Sequence, residues 1–274
     1  MNRILFISLF TLIFSLRGIS QHGALDFSLV KELTGKFEKF NVDELDCIYA
    51  LSTSGQLKKY SSNFDSIAVF NDIRRYGNLN TIHIQNPLRA LLFFKDFNAI
   101  VAVDRLMQVI QKVDLRRINL FQLSTIAPSY DNMIWIYDEQ VSKIKKIGLD
   151  GKIAFESVDL RMVFNEKISP FKMFEHQGAL YLVDHENGIY IFDYYGGFKF
   201  KIHYPGIIDC QSLGNLLIGR NKDQIWMMKE GDLSPISISI PKQILEASQF
   251  YLASKMAYTL KDGAIAIYTY NLKH

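Results

Sequence analysis

Cysteine is almost missing from this chain. Two in 274 residues cannot build a disulfide scaffold or a four-ligand zinc site. An excess of either charge is missing too: 31 Lys and Arg stand against 28 Asp and Glu, too even a balance for a nucleic-acid binder. Charged residues make up only 22% of the chain while aromatics reach 13%, which excludes a disordered polypeptide. Helical periodicity is nearly absent beyond Gln21. There is no Gly-rich phosphate loop; the isolated Gly196-Gly197 pair fits a turn that needs positive φ. What remains is a globular protein long enough to bury a sizeable core.

The first 20 residues read as an export signal. Arg3 supplies a short positive region, Ile4 to Leu16 is an apolar run of 13 residues, and Gly18-Ile19-Ser20 offers a small-x-small cleavage site before Gln21. The run is too short to span a hydrocarbon core, which takes roughly 20 residues, so no transmembrane segment is expected after signal cleavage. Gln at the first mature position, after a small residue, resembles exported proteins of Gram-negative bacteria of the Bacteroidota type. Cleavage removes Arg3 and Arg17 and leaves 29 basic against 28 acidic side chains. The mature protein is nearly neutral, so local patches rather than a global field must steer whatever it binds.

What the chain has in abundance is short strands rich in Ile, Val, Tyr and Phe, and they repeat. One hairpin, an apolar strand, a polar turn and a second apolar strand, recurs six times, its turns ending at Gly55, Asn98, Val141, Gly188, Asp223 and Gly263. The spacings are 43, 43, 47, 35 and 40 residues. Each of the first five hairpins is followed by a third strand, such as Ser66 to Phe70 or Phe198 to Tyr204, and hairpins are preceded by a shorter one, such as Thr81 to Gln85 or Phe171 to Glu175. Four strands at that period make one blade of a β-propeller. The sixth unit lacks its fourth strand, because only Asn271 to His274 follow Tyr270, whereas Leu25, Phe27 and Leu29 alternate with Asp26, Ser28 and Val30 in an N-terminal strand that the first hairpin does not need. The N-terminal strand is therefore expected to close the last blade and remove the free sheet edges.

The period and turn chemistry over residues 24 to 271 resemble the six-bladed propellers of the NHL and TolB-like kind. The Ser-x-Asp-x-Gly-x-Thr-Trp box of sialidases and a Trp-Asp blade ending are absent. The expected architecture is all-β: one domain, residues 21–274, of six four-stranded antiparallel blades.

Candidate chemistry is sparse. His83 and His176, with Asp209, fall on inner strands that line a propeller's central channel, where they could converge as ligands do in propeller lactonases; the expectation is instead a water-filled channel, which satisfies such polar groups without metal. Cys47 and Cys210 lie on blades that are not neighbours, so a disulfide between them is not expected. Trp135 and Trp226, flanked by Ile and Met, read as packing between blades, while Tyr130, Tyr194 and Tyr195 stand in turns as exposed aromatic contacts.

A second repeat is more informative. Asp72-Ile73-Arg74-Arg75, Asp114-Leu115-Arg116-Arg117 and Asp159-Leu160-Arg161-Met162 each follow an outer strand, where the chain crosses to the next blade. One reading makes each Asp and Arg a staple that holds the crossing; the other turns Arg75 and Arg117 outward, with Arg220 and Lys222 on the same face, to meet carboxylates or phosphates. With blade grammar intact and no catalytic signature, the expected function is a non-catalytic binding or scaffold propeller, periplasmic or associated with the outer membrane, facing an envelope protein assembly without any cofactor. The alternatives are a hydrolase or lactonase-type enzyme with a divalent metal in its channel, and a module that binds anionic glycans.

Overall fold

The structure, a computed structural model, describes residues 23–229, 232 and 234–273, with backbone only for 23, 24, 73, 74, 85, 272 and 273. The export signal therefore lies outside the described residues. Twenty-four strands form six antiparallel blades in a ring. Blade 1 comprises Phe37–Val42, Ile48–Ser52, Leu57–Tyr60 and Ser66–Phe70; blade 2, Thr81–Asn86, Arg89–Phe94, Ala99–Asp104 and Val109–Asp114. Blade 3 comprises Leu123–Pro128, Ile134–Asp138, Lys143–Ile147 and Ile153–Glu156; blade 4, Pro170–His176, Ala179–Asp184, Gly188–Asp193 and Phe198–Ile202. Blade 5 comprises Asp209–Leu213, Leu216–Arg220, Ile225–Lys229 and Ile236–Ser239; blade 6, Gln249–Leu252, Met256–Lys261 and Ala264–Lys273, with the N-terminal Gly23–Leu33 as its outer strand.

The middle strands of a blade are covered on both faces by neighbouring blades, so they read as continuous apolar runs rather than alternating ones. In blade 2, Ala90–Phe94 and Ala99–Val103 are buried throughout, whereas the outer strand exposes Val109 to Lys112. Each of the six seams holds its own apolar cluster. Leu51 and Leu57 meet Leu92 and Val101 at the first seam, and the last seam closes the ring with Leu260 and Ile265 against Phe40 and Ile48. Trp135 and Trp226 are fully buried in two of these seams. At roughly 1.5–3 kcal/mol for each large apolar side chain buried, the seams carry most of the driving force for ring closure.

The N-terminal strand does close blade 6, and it does more. At Gly23 and Ala24 it also pairs in parallel with Ile238 and Ser239 of blade 5, joining the two blades into one eight-stranded sheet. Its alternation holds for Leu25 and Phe27, which pack between the blades, but the register slips between Leu29 and Lys31, and Leu29 is left exposed.

Each crossing after blades 1, 2, 3 and 5 makes one helical turn, which the sequence did not signal: Ile73–Tyr76, Leu115–Ile118, Leu160–Phe164 and Lys242–Leu245. Asp114 and Asp159 cap two of them by accepting from the backbone N–H of Arg116 and Arg161, and left-handed Asn119 (φ 59°) and Asn165 (φ 51°) end them. Leu115 N donates to Asn98 O at 2.9 Å and Leu160 N to Ser142 O at 2.9 Å, so the crossings and the turns inside the hairpins share one face, as expected. The turns that join first to second and third to fourth strands lie at the opposite ends of the strands. These are called below the crossing face and the turn face.

Candidate functional site

On the crossing face the arginines divide. Arg116 donates to both carboxylate oxygens of Asp114 at 3.1 Å, and Arg161 to both of Asp159 at 3.0 and 2.6 Å. Those hydrogen bonds hold both acids below the usual carboxylate range. Both pairs are staples. The Arg74 side chain lies outside the described residues; Arg75 packs its guanidinium over the Tyr76 ring, with centres 5.3 Å apart, and its side chain is otherwise exposed. Arg117 and Lys222 are exposed. Arg220 corrects the expectation of a basic surface residue: it is 2% exposed and donates to Leu245 O, Ala247 O and Ser248 O at 3.0, 2.6 and 3.3 Å. It sits on a middle strand, and those three carbonyls belong to the crossing into blade 6 and the segment after it, which its fork of N–H groups reaches at once.

In the channel, the three candidates do not come together. His83 is half-buried near Lys172, and desolvation, then the Lys172 charge, lowers its pKa to about 3. Its Nε2 lies 3.0 Å from Thr81 Oγ1. Asp209 accepts from Cys210 N at 3.0 Å and Phe250 N at 3.2 Å, with Lys172 at 3.6 Å and Arg220 at 3.9 Å. His176 is at the other end of its strand, bonded to Gly214 O beside a narrow groove with Tyr181, Phe200 and Met228. No group of three His, Cys, Asp or Glu side chains that could hold a metal ion occurs among the described residues. Neighbouring inner strands are instead clasped by polar side chains: Asn41 donates to Ile82 O at 2.7 Å, and Gln211 both donates to Leu252 O and accepts from Leu252 N. Both cysteines are free; burial pushes the Cys210 thiol up to about 12.

The turn face carries the most built arrangement. Lys146, on the third strand of blade 3, is buried against the Asp131 carboxylate at 2.8 Å. Its ammonium lies 4.5 Å from the Trp135 ring centre and 3.8 Å from that of Tyr194, which reaches over from blade 4. Tyr194 donates to Asp131 Oδ2 at 2.6 Å and packs on Tyr130 with ring centres 4.4 Å apart. Glu175 receives Trp135 Nε1 and Ser129 Oγ, each at 2.6 Å, and Tyr130 N at 3.1 Å. Burial pushes the Asp131 carboxyl up, but hydrogen bonds from Lys146 and Tyr194 outweigh it and bring it to about 2. The aromatic box is thus filled by the protein's own cation.

The same device recurs at the blade 1 to 2 junction. Buried Lys59 lies 4.0 Å from Asp43, over the Tyr49 ring, and donates to Arg105 O of blade 2 at 3.3 Å. Tyr49 and Lys59 are opposite each other across two strands, as are Trp135 and Lys146. Each lysine thus ties a turn of its own blade to a turn of the next. Above them stand exposed apolar side chains: Leu45 at 63%, Leu88 at 65%, Leu106 at 52%, Tyr130 at 62% and Tyr195 at 80%. Of these, the sequence reading picked out only the tyrosines. A signal for the others was present, since Leu45, Leu88 and Leu106 each stand two residues after an Asp or Asn in a turn.

No protein-family profile matches the chain, and no curated protein does. Solved structures do match. A streptogramin B lyase superposes with a TM-score of 0.61 at 15% identity over 87% of this chain and 80% of that one. The virginiamycin B lyase of Staphylococcus aureus gives 0.58 at 14% over 89% and 99%. PorZ, a surface component of the type-IX secretion system of Porphyromonas gingivalis, gives 0.59 at 11% over 88% of this chain and 33% of that one. At these identities the likeness is one of fold: the chain is a six-bladed propeller.

Proposed function

We propose that this chain is an exported, non-catalytic binding and scaffold propeller of the bacterial cell envelope, released by removal of residues 1–20, that presents a disc face to a protein partner. One observation carries the reading: the charged groups in and around the channel are committed to holding blades together. Asp209 serves two backbone N–H groups and two cations, Arg220 serves three carbonyls, and the His83 pKa of about 3 leaves the ring uncharged. A general acid or base needs a pKa near the working pH, and His83 lies far from that range. Leu45, Leu88 and Leu106 of the turn face, by contrast, stand largely exposed. Export rests on the N-terminal sequence alone. Purification from envelope extracts is expected to return a stable partner; a pure protein that turned over a lactone or ester and had no partner would overturn the reading, and metal analysis would show whether a divalent ion is involved.

A second reading has its own observation. Arg117 and Lys112 line a cleft of about 250 Å³ between blades 2 and 3, and among the described residues neither has an ion pair. Asp114 and Asp150 in the same cleft are each bonded by the basic residue two positions on. An acidic polysaccharide would meet two available cations there. Arg75→Glu with Arg117→Glu should then abolish polysaccharide binding without lowering thermal stability.

A further inference from the structure

We infer that the partner docks on the turn face, over blades 1 to 3 and the adjoining Tyr195 turn of blade 4, and that it is a protein whose contact segment is apolar and carries a basic and an acidic residue. The inference rests on the scaffold reading above and adds the face and the chemistry.

The exposed apolar side chains are placed by turn chemistry, not by chance protrusion. Leu45 N donates to Asp43 Oδ1 at 2.9 Å, Leu88 N to Asn86 Oδ1 at 2.9 Å, Leu106 N to Asp104 Oδ1 at 2.9 Å, and Tyr195 N to Asp193 Oδ1 at 2.8 Å. In each the Asx side chain consumes the backbone N–H of the third residue and leaves that residue's side chain exposed at the turn apex. Large apolar side chains set out in this way on one face are of the kind that marks an interaction site.

Bonds between the turns make these positions one surface. Lys59 joins the Leu45 turn to the Leu106 turn, through Asp43 and Arg105 O. Arg89 joins the Leu88 turn to the Tyr130 turn, donating to Asn132 Oδ1 at 3.0 Å. Lys146 and Tyr194 join the Tyr130 turn to the Tyr195 turn through Asp131. The apices are therefore held in fixed relation before anything binds, which lowers the ordering cost of association. Leu45, Leu88 and Tyr130 occupy equivalent turns of blades 1, 2 and 3, whereas blades 4, 5 and 6 have Gln177, Gly214 and Ser254 there. With the Tyr195 turn of blade 4, the apolar positions span blades 1 to 4.

Charge selects the occupant. Exposed Glu44 adjoins Leu45, and exposed Arg105 adjoins Leu106. A segment bearing one basic and one acidic residue beside its apolar side chains complements both. On an anionic lipid surface, repulsion at Glu44 and Asp150 would offset the attraction of Arg105 and Lys152. Tyrosine is enriched in protein hot spots, and Tyr130 and Tyr194 are held in place here through Asp131 and Lys146.

The test is site-specific photocrosslinking of the full-length protein in the cells that make it. The crosslinker is placed in turn at Leu45, Leu88, Leu106 and Tyr195, and, on the other face, at Arg75, Met162 and Lys222. One discrete adduct from the turn-face positions is expected, its partner identified by mass spectrometry. The purified partner should then bind the unmodified protein about tenfold or more tightly than Leu88→Asp with Leu106→Asp, and several-fold more tightly than Glu44→Lys, with melting temperatures unchanged. Should the double aspartate variant not fold, Leu88→Ser with Leu106→Ser carries the same comparison. A partner crosslinked only from the crossing face would overturn the docking site and leave the scaffold reading standing. No protein adduct from either face would overturn both. An adduct to a second copy of the chain, or sedimentation with phosphatidylethanolamine and phosphatidylglycerol vesicles that the aspartate variant loses, would overturn the partner class.

Discussion

The two faces of the ring are built from the same local device and end in opposite chemistry. On the crossing face, Asx turns accept from the backbone N–H of Arg116, Gln140, Arg161, Glu186 and Asp223. On the turn face they accept from Leu45, Leu88, Leu106 and Tyr195, with Lys152 after Asp150 the polar exception. The turn fixes the backbone in both places, so it cannot explain the third side chain in either. Where that side chain is arginine, in two cases it folds back on the turn's own carboxylate and is used up. Where it is leucine it is left exposed, and Tyr195, exposed as well, meets the fold at the ring of Tyr194. The difference locates what the ring needs for itself on one side and what it offers on the other.

Substitutions can break that contrast, and the largest effect belongs to the crossing face. Arg220→Ala strands the buried Ala247 carbonyl and the part-buried Leu245 and Ser248 carbonyls at the blade 5 to 6 junction, so denaturant unfolding should show a loss of about 3–5 kcal/mol. Lys146→Met leaves Asp131 without its buried counter-ion beneath the turn face; a smaller loss of about 2–3 kcal/mol is expected, because Asp131 is partly solvated, together with changed near-ultraviolet circular dichroism from Tyr130 and Tyr194. Equal losses for these two variants would erase the distinction between clamp and platform.

Acid should weaken the channel wall that both faces share. His83 is uncharged in the fold because its pKa is lowered from 6.5 to about 3, whereas the unfolded chain takes up that proton below about 6.5. The folded state then binds fewer protons than the unfolded one, so this contribution is intact above pH 6.5 and declines as pH falls toward 3. From pH 7 to pH 5 the loss should be about 2 kcal/mol, read as a fall in melting temperature that His83→Gln flattens. Asp159→Ala removes a helix cap and an exposed staple and should cost about 1 kcal/mol. Smallest of all, Leu88→Ser should change stability by no more than about 0.5 kcal/mol, since its side chain stands out from the fold. A larger loss at Leu88 would mean that the turn face is structural after all.

Much of the fold was legible in the sequence because it is periodic. The six hairpins, the outer strands to within two residues at each end, and the N-terminal strand of blade 6 follow from turn residues and apolar runs that repeat at about 42 residues. The Asp-Leu-Arg repeat named its own staple, since partners two residues apart on a tight turn meet whatever the rest of the chain does. Arg220 was misplaced for the converse reason. Its hairpin position suggested a surface residue, but its acceptors are Leu245, Ala247 and Ser248 of the next blade, and no local pattern announces contacts that distant. The lysine boxes were hidden in the same way: Lys59 and Lys146 look like solvent-facing strand positions until the Arg105 and Tyr194 turns of the following blade cover them.

By itself, then, the sequence determined what depends on neighbours along the chain: strand, turn, blade count and ring closure, each carried by period and local hydrogen-bonding chemistry. Only the tertiary structure decided which polar side chains are spent and which side chains remain available. That depends on how one blade leans on the next, and a residue's exposure there is set by groups some 25 to 63 positions away, such as Leu245 from Arg220 or Tyr194 from Asp131.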